Sequence, residues 1–374
     1  MMKILPAAMV LAIAACSPTP PSAESVSNQA TPSSHSPAPA PRGKSPGGFA
    51  LWNISSLSAG LDGVRVMLLG NDGKPLPLTA PDAGAEGWAV WSPDGWRLAT
   101  LVTSSRGTSN ALHIVDTGAG TRRVLLDDGR FHAIMRWSPS GRFISLKSED
   151  PRALAKSGAF ARLDRVDVES GKVITIASSV FSEVWVGANA LRIVTRAADG
   201  TWTTSLVDEA GVASPAKTLP VPSGTLEVFP SPDGARVAFV RKVAGQLQST
   251  LAICALDGSG VVELGPVWRF GDLGWSPDGT RLAYTRLDMS ETPKHELWVA
   301  AGATTTRVTR LDEFDETGEF DSSHITWSPD STKLATLSIV DDLRLALLIA
   351  DNDGANVHEL TRIQGIVGGL TWRP

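Results

Sequence analysis

Trp91-Ser92-Pro93-Asp94-Gly95 recurs unchanged as Trp275-Ser276-Pro277-Asp278-Gly279. Close variants stand at Trp137-Ser138-Pro139-Ser140-Gly141 and Trp327-Ser328-Pro329-Asp330-Ser331. Ser231-Pro232-Asp233-Gly234 keeps the turn but has Phe229-Pro230 in place of the Trp, and Trp185-Val186-Gly187-Ala188-Asn189 is a decayed copy. The chain ends on Thr371-Trp372-Arg373-Pro374, the start of another. The markers fall at 91, 137, 185, 230, 275, 327 and 372, at spacings of 46, 48, 45, 45, 52 and 45 residues. A period near 45 suits units of four short strands.

The five residues read as a strand-turn-strand corner. Trp ends the incoming strand, Pro presets φ for the first turn position, Asp tolerates the next, and Gly takes the left-handed one. The outgoing strands alternate, as in Arg97-Leu98-Ala99-Thr100-Leu101 and Arg281-Leu282-Ala283-Tyr284. Eight positions after the marker a small residue recurs, at Ala99, Ser145, Ala238, Ala283 and Ala335, which lets neighbouring units approach closely. One four-stranded unit cannot bury both faces, so copies must stack around an axis. The expectation is an all-β, seven-bladed propeller over residues 45–374.

The two ends predict how the ring closes. Ser45-Pro46-Gly47-Gly48-Phe49-Ala50-Leu51-Trp52 reads as the continuation of the corner that Trp372 begins. One blade then takes its inner strand from the C-terminus and three strands from residues 49–79. Trp52 falls at the position where the other units carry a small residue, so the closing register is free to slip. The third unit is degenerate, which leaves six blades open.

These repeats resemble the TolB-type propeller family of bacterial envelope proteins, and the resemblance covers residues 45–374. It implies a platform that binds proteins or peptides; some relatives of this fold are lyases or peptidases, the peptidases through an appended hydrolase domain. The α/β domain that precedes the TolB propeller has no counterpart in residues 1–44.

Those residues read as targeting and tether. Met1-Met2-Lys3 is a short positive segment, Ile4 to Ala15 is apolar, and Ile13-Ala14-Ala15-Cys16 resembles the bacterial lipobox. The apolar stretch is too short for the roughly 20 residues of a spanning helix. Residues 1–15 are thus expected to be a lipoprotein signal peptide and Cys16 the lipid attachment point; Ser17 after it implies sorting to a Gram-negative outer membrane, facing the periplasm. Residues 16–44 are rich in Ser, Pro and Ala and read as a disordered tether. Cys254, the second of two cysteines, sits in an apolar run and is expected to pack as a buried hydrophobe. The formal charge of −5, with no Lys/Arg cluster, removes the field that nucleic-acid binding needs.

In such a ring the corner turns share one face and the longer connections share the other. The second face is where a partner is expected, because irregular loops on a rigid frame usually carry function. Arg130, Phe131 and His132, and then Trp268, Arg269 and Phe270, precede inner strands there, and Arg and aromatic side chains are the common anchors of interfaces. His324 is placed with His132 at the channel. Leu311 to Asp321 is an acidic insertion whose spacing matches no calcium loop. His113, His295 and His358 fall on outer strands, so no metal site is assigned. No Gly-x-Ser-x-Gly is present, no cysteine has a base partner, and no catalytic residue or cofactor is assigned. The sequence therefore points to a membrane-anchored envelope lipoprotein that holds an unidentified protein or peptide. The alternative is a lyase or hydrolase acting in the channel on an extracytoplasmic polysaccharide or peptide.

Overall fold

The computed structural model describes residues 45, 47–54, 64–78, 85–104, 109–148, 160–245, 248–267, 273–288, 294–311, 325–341 and 344–374. Its recurring element is the tryptophan corner. At the first, Gly95 N–H donates to the Ser92 carbonyl at 2.8 Å and Ser92 N–H to the Arg97 carbonyl at 2.8 Å. The Ser92 hydroxyl donates to the Asp94 carboxylate and accepts from Arg97 N–H at 3.0 Å. Gly95 has φ +69° and its missing Cβ leaves room for the Pro374 carbonyl, which a side-chain carbon there would meet at 2.8 Å. Only glycine suits both demands without strain.

Each corner joins the first two strands of an antiparallel unit. The chain begins with β1 (Gly48–Ile54), β2 (Val64–Leu69) and β3 (Pro75–Leu76). Next come β4 (Glu86–Trp91), β5 (Arg97–Thr103), β6 (Asn110–Asp116) and β7 (Thr121–Leu126), a sheet in chain order. A seven-stranded sheet follows: β8 (His132–Trp137), β9 (Phe143–Ser148), β10 (Phe160–Asp167), β11 (Val173–Val186), β12 (Ala190–Arg196), β13 (Trp202–Val207) and β14 (Lys217–Thr218). Two four-stranded sheets come next. The first holds β15 (Thr225–Pro230), β16 (Arg236–Lys242), β17 (Ser249–Ala255) and β18 (Val262–Val267). The second holds β19 (Leu273–Trp275), β20 (Leu282–Asp288), β21 (Lys294–Ala301) and β22 (Thr304–Leu311). The last in sequence holds β23 (Ile325–Trp327), β24 (Lys333–Asp341), β25 (Arg344–Asp351) and β26 (His358–Gln364). Finally β27 (Ile366–Arg373) adds to the inner edge of β1.

The long strand explains the seven-stranded sheet. Val173 to Val180 of β11 pair with β10, and Val180 to Val186 pair with β12, with Ser179 at φ +56° just before the residue where the two stretches meet. The outer strand of one unit runs directly into the inner strand of the next. Divided there, the seven-stranded sheet gives two stretches of four strands, the second built on the degenerate third marker.

Ring closure follows the expected pairing, with one correction. β27 pairs with β1, placing Phe49 opposite Trp372, their rings 4.7 Å apart. In other units the small residue pairs with the residue before the marker, as Val90 with Ala99, Phe229 with Ala238 and Gly274 with Ala283. In the closing unit Thr371 pairs with Ala50, so the small position belongs to Ala50 and not to Trp52, and a register irregularity falls between the two. The reason is steric: Ala50 is fully buried where the last unit packs on the first, and a Trp there would hold them apart.

The core lies between sheets. Ala99, Leu101, Leu112 and Ile114 of the first sheet interdigitate with Met135, Trp137, Ile144 and Leu146 of the next. Each large aliphatic side chain removed from water in this way contributes about 1.5–3 kcal/mol, so the stacking and not the single sheet holds the fold. Cys254 is buried among Val237, Phe239 and Ala252, as its apolar run foretells, and burial pushes its thiol pKa up.

Candidate functional site

Neighbouring units are stitched by the markers. Trp137 Nε1 donates to the Val90 carbonyl at 3.0 Å, Trp185 Nε1 to the Arg136 carbonyl at 3.3 Å, and Trp275 Nε1 to the Phe229 carbonyl at 3.1 Å. Trp327 Nε1 does the same to the Gly274 carbonyl at 2.9 Å. In each case the acceptor stands directly before the previous unit's marker position. On the corner-turn face an arginine reaches the other way. Arg97 stacks over the Trp137 ring at 5.2 Å and bonds the Gly141 carbonyl; Arg236 stacks over Trp275 at 5.5 Å and bonds the Gly279 carbonyl. The hydroxyls of Ser328 and Thr332, with Thr332 N–H, hold the Asp330 carboxyl below its usual pKa. This face is committed to its own structure.

The opposite face carries a polar network at the junction of the first two sheets. Asn110, opening β6, donates to the His132 carbonyl at 2.8 Å and accepts from His132 N–H at 2.9 Å. That reciprocal pair fixes the first residue of β8. The His132 ring, wholly buried, meets Ser148 Oγ at 3.0 Å through Nδ1 and Asp128 Oδ1 at 3.0 Å through Nε2. Burial lowers the His132 pKa, and the nearby Asp128 and Asp164 charges oppose that shift without reversing it. The ring is neutral at physiological pH, with one nitrogen donating and the other accepting.

Arg130 caps the network. Its Nη1 lies 3.2 Å from Asp128 Oδ2 and 3.7 Å from Asp164 Oδ2, and its side chain is 43% exposed. Asp164 is fully buried and also takes Arg162 Nε at 2.6 Å. Arg130 is thereby held in place from below while its outer side stays open. Phe131 beside it is half-buried. Deeper along the same sheet, Lys147 is buried against Glu183 and donates to the Phe181 carbonyl at 3.4 Å. Arg136, largely exposed, approaches the other Glu183 oxygen at 3.4 Å. Burial pushes the Lys147 pKa down, and Glu183 counters it.

The structure thus brings Arg130, Phe131 and His132 together at one junction but gives them different tasks. Arg130 and Phe131 reach the surface, whereas His132 is an internal brace. Trp268, Arg269, Phe270, His324 and Cys16 lie outside the described residues, as does the acidic insertion after Leu311. Asp127-Asp128 has the look of an ordinary turn pair in the sequence, and Asn110, Ser148, Arg162 and Asp164 carry no motif. No local pattern marks those four, because their meeting depends on register between strands. Among the described residues, no three His, Cys, Asp or Glu side chains converge as a metal-holding group.

No protein-family model and no curated protein matches the chain. Solved structures do. The Acinetobacter baumannii TolB structure is similar with a TM-score of 0.51 and 16% identity, over 87% of this chain and 67% of that one. An oligogalacturonate lyase in complex with manganese gives 0.57 and 17%, over 77% and 82% of the two chains. The β-propeller domain of the Trilobed protease from Pyrococcus furiosus, described as having an open velcro topology, gives 0.56 and 12%, over 86% and 94%. At these identities the likeness establishes architecture. The stacked four-stranded units, closed by a strand from each end, make this chain a β-propeller, similar in fold to TolB and to these other propellers.

Proposed function

We propose that the protein is a lipid-anchored envelope scaffold whose loop-rich face holds a protein or peptide ligand. The observation that carries this reading is Arg130, an exposed guanidinium fixed between Asp128 and Asp164 and flanked by Phe131. A pre-positioned arginine beside an aromatic ring loses little entropy when it anchors a partner. The corner-turn face, by contrast, spends its arginines on the next unit's tryptophan and glycine. Trp268, Arg269, Phe270 and His324 are assigned to the same face from the sequence. Cys16 is the proposed lipid attachment, placing the propeller at the periplasmic side of an outer membrane.

The test is crosslinking in intact envelopes with identification of the captured protein by mass spectrometry. Arg130→Ala with Trp268→Ala and Arg269→Ala should abolish capture while the melting temperature stays nearly unchanged; persistent capture rejects this face. Cys16→Ala should release the protein from membranes and end its labelling by a fatty-acid analogue.

A second reading, a channel-site lyase or hydrolase, draws on the fold shared with oligogalacturonate lyase. It requires turnover of an oligogalacturonate or related polysaccharide by the purified chain with manganese supplied, followed by absorbance of the unsaturated product.

A further inference from the structure

Beside the Arg130 junction lies an open cleft of about 240 Å³ lined by Val102, Thr103, Ser104, Ser109, Asn110, Ala111 and Asp127. Drug-sized and cofactor sites usually need about 300–1,000 Å³, so this space suits one side chain or terminal group. Among the described residues, the lining holds one carboxylate and no cation.

Which polar atoms remain available decides the ligand. Asn110 is consumed, since its amide oxygen and nitrogen both serve the His132 backbone. Ser104 Oγ already accepts from Ser109 N–H at 3.4 Å and from Ser109 Oγ at 3.3 Å. Ser109 has given up its proton in that bond and keeps its lone pairs. Asp127 is exposed and acts on the nearby His113 only through its charge; unlike Asp128, it makes no ion pair or hydrogen bond with the described residues, and nor does the Thr103 hydroxyl. Among the described lining residues, three side-chain acceptors are thus left for a ligand: the Asp127 carboxylate, Ser109 Oγ and Thr103 Oγ1. A calcium ion asks for about six to eight oxygens, and a zinc site is built mainly from His and Cys, neither of which this set supplies. A primary ammonium has three N–H donors and no acceptor, and it matches the set one for one.

We propose that this cleft receives a primary ammonium group of a peptide ligand, either a lysine side chain or a free N-terminus. The proposal rests on the peptide-binding reading above and makes it specific: the ligand is cationic where it enters the cleft beside Arg130. Asp127 supplies the charge, and Thr103 and Ser109 orient the N–H bonds.

The experiment uses the full chain in detergent micelles and saturation-transfer NMR with three probes. Nα-acetyl-lysine methylamide presents a side-chain ammonium, glycinamide an N-terminal one, and the norleucine counterpart of the first has no charge. At millimolar concentrations one or both amines should show transfer and the norleucine compound should not. Asp127→Asn should weaken the amine at least about tenfold, since a charge-assisted hydrogen bond is being lost, and Thr103→Val should weaken it less. Which amine responds identifies the source. Transfer to norleucine equal to that of lysine, no transfer to either amine, or an unchanged Asp127→Asn variant with an unchanged melting curve overturns the proposal. Envelope capture through Arg130 is scored alongside in the unaltered protein: capture without transfer to either amine rejects the ammonium site and leaves the scaffold standing.

Discussion

Arg373 Nε donates to the carbonyl of Gly95 at 2.8 Å, tying the penultimate residue of the chain to the first tryptophan corner. The same guanidinium lies over the Trp91 ring, 4.3 Å from its centroid. It repeats what Arg97 and Arg236 do between their neighbours, but at the seam where the ring would otherwise open. Arg373 is also the more buried of these clamps, because the closing unit packs its inner strand against the first sheet on one side and β1 on the other.

Arg373→Ala should therefore destabilise more than Arg97→Ala. A charge-assisted hydrogen bond is worth about 1.5–3 kcal/mol and a desolvated cation–π contact about 1–2 kcal/mol. A fall of roughly 3–8 °C in melting temperature is expected, read by differential scanning calorimetry on both variants. Equal melting temperatures for the two would mean that the seam carries no special load.

The indole stitches predict an asymmetry among tryptophans. Trp137→Phe removes the donor to Val90 and leaves that carbonyl without its partner, a loss of about 1–2 kcal/mol. Trp91 is the exception, for its Nε1 is buried without a hydrogen bond. Trp91→Phe should accordingly cost less than Trp137→Phe, a ranking that urea unfolding midpoints will show or refute.

Glu183 and Lys147 form a buried pair, with Arg136 at its open side. Glu183→Gln leaves a buried ammonium without its counter-charge and should destabilise by about 3–5 kcal/mol. Replacing both, as Lys147→Met with Glu183→Leu, should restore much of that loss, since well-packed apolar residues commonly substitute for buried ion pairs. A double variant no better than the single would show that the pair does more than neutralise itself.

His132 predicts a dependence on acid. Its pKa is about 6.5 in the unfolded chain and lower in the folded one, because burial penalises the imidazolium. The unfolded state then binds more protons below pH 6.5, so stability is full above that value and falls as pH drops towards the folded pKa. His113, lowered by burial and by Arg122, titrates in the same direction. His132→Gln should flatten part of the decline in melting temperature between pH 6.5 and about 5 and leave the His113 share. An unchanged slope would contradict the buried neutral ring.

How much of this was legible in the chain itself depends on distance along it. The corners, the period and the closure by both ends are local patterns: turn chemistry and strand alternation involve residues a few positions apart, and Trp372 with Gly48 merely completes a motif already seen elsewhere. Ala50 was missed because its assignment depends on an irregular pairing between strands from opposite ends of the chain. The turn chemistry gives the corner serine no role, whereas the Ser276 hydroxyl bonds both the Asp278 carboxylate and the Arg281 N–H.

What the sequence alone determined is the unit, its repetition and the way the ring shuts, because these follow from residue types at short range. Only the tertiary structure decided which unit's carbonyl each indole meets, that His132 is a brace and Arg130 a surface group, and that Asp128 is bound to a histidine ring while Asp127 lines the cleft. Those outcomes hang on register and burial between sheets. Two adjacent aspartates have the same side chain in the sequence and acquire different chemistry only when one is brought within hydrogen-bond reach of a histidine ring.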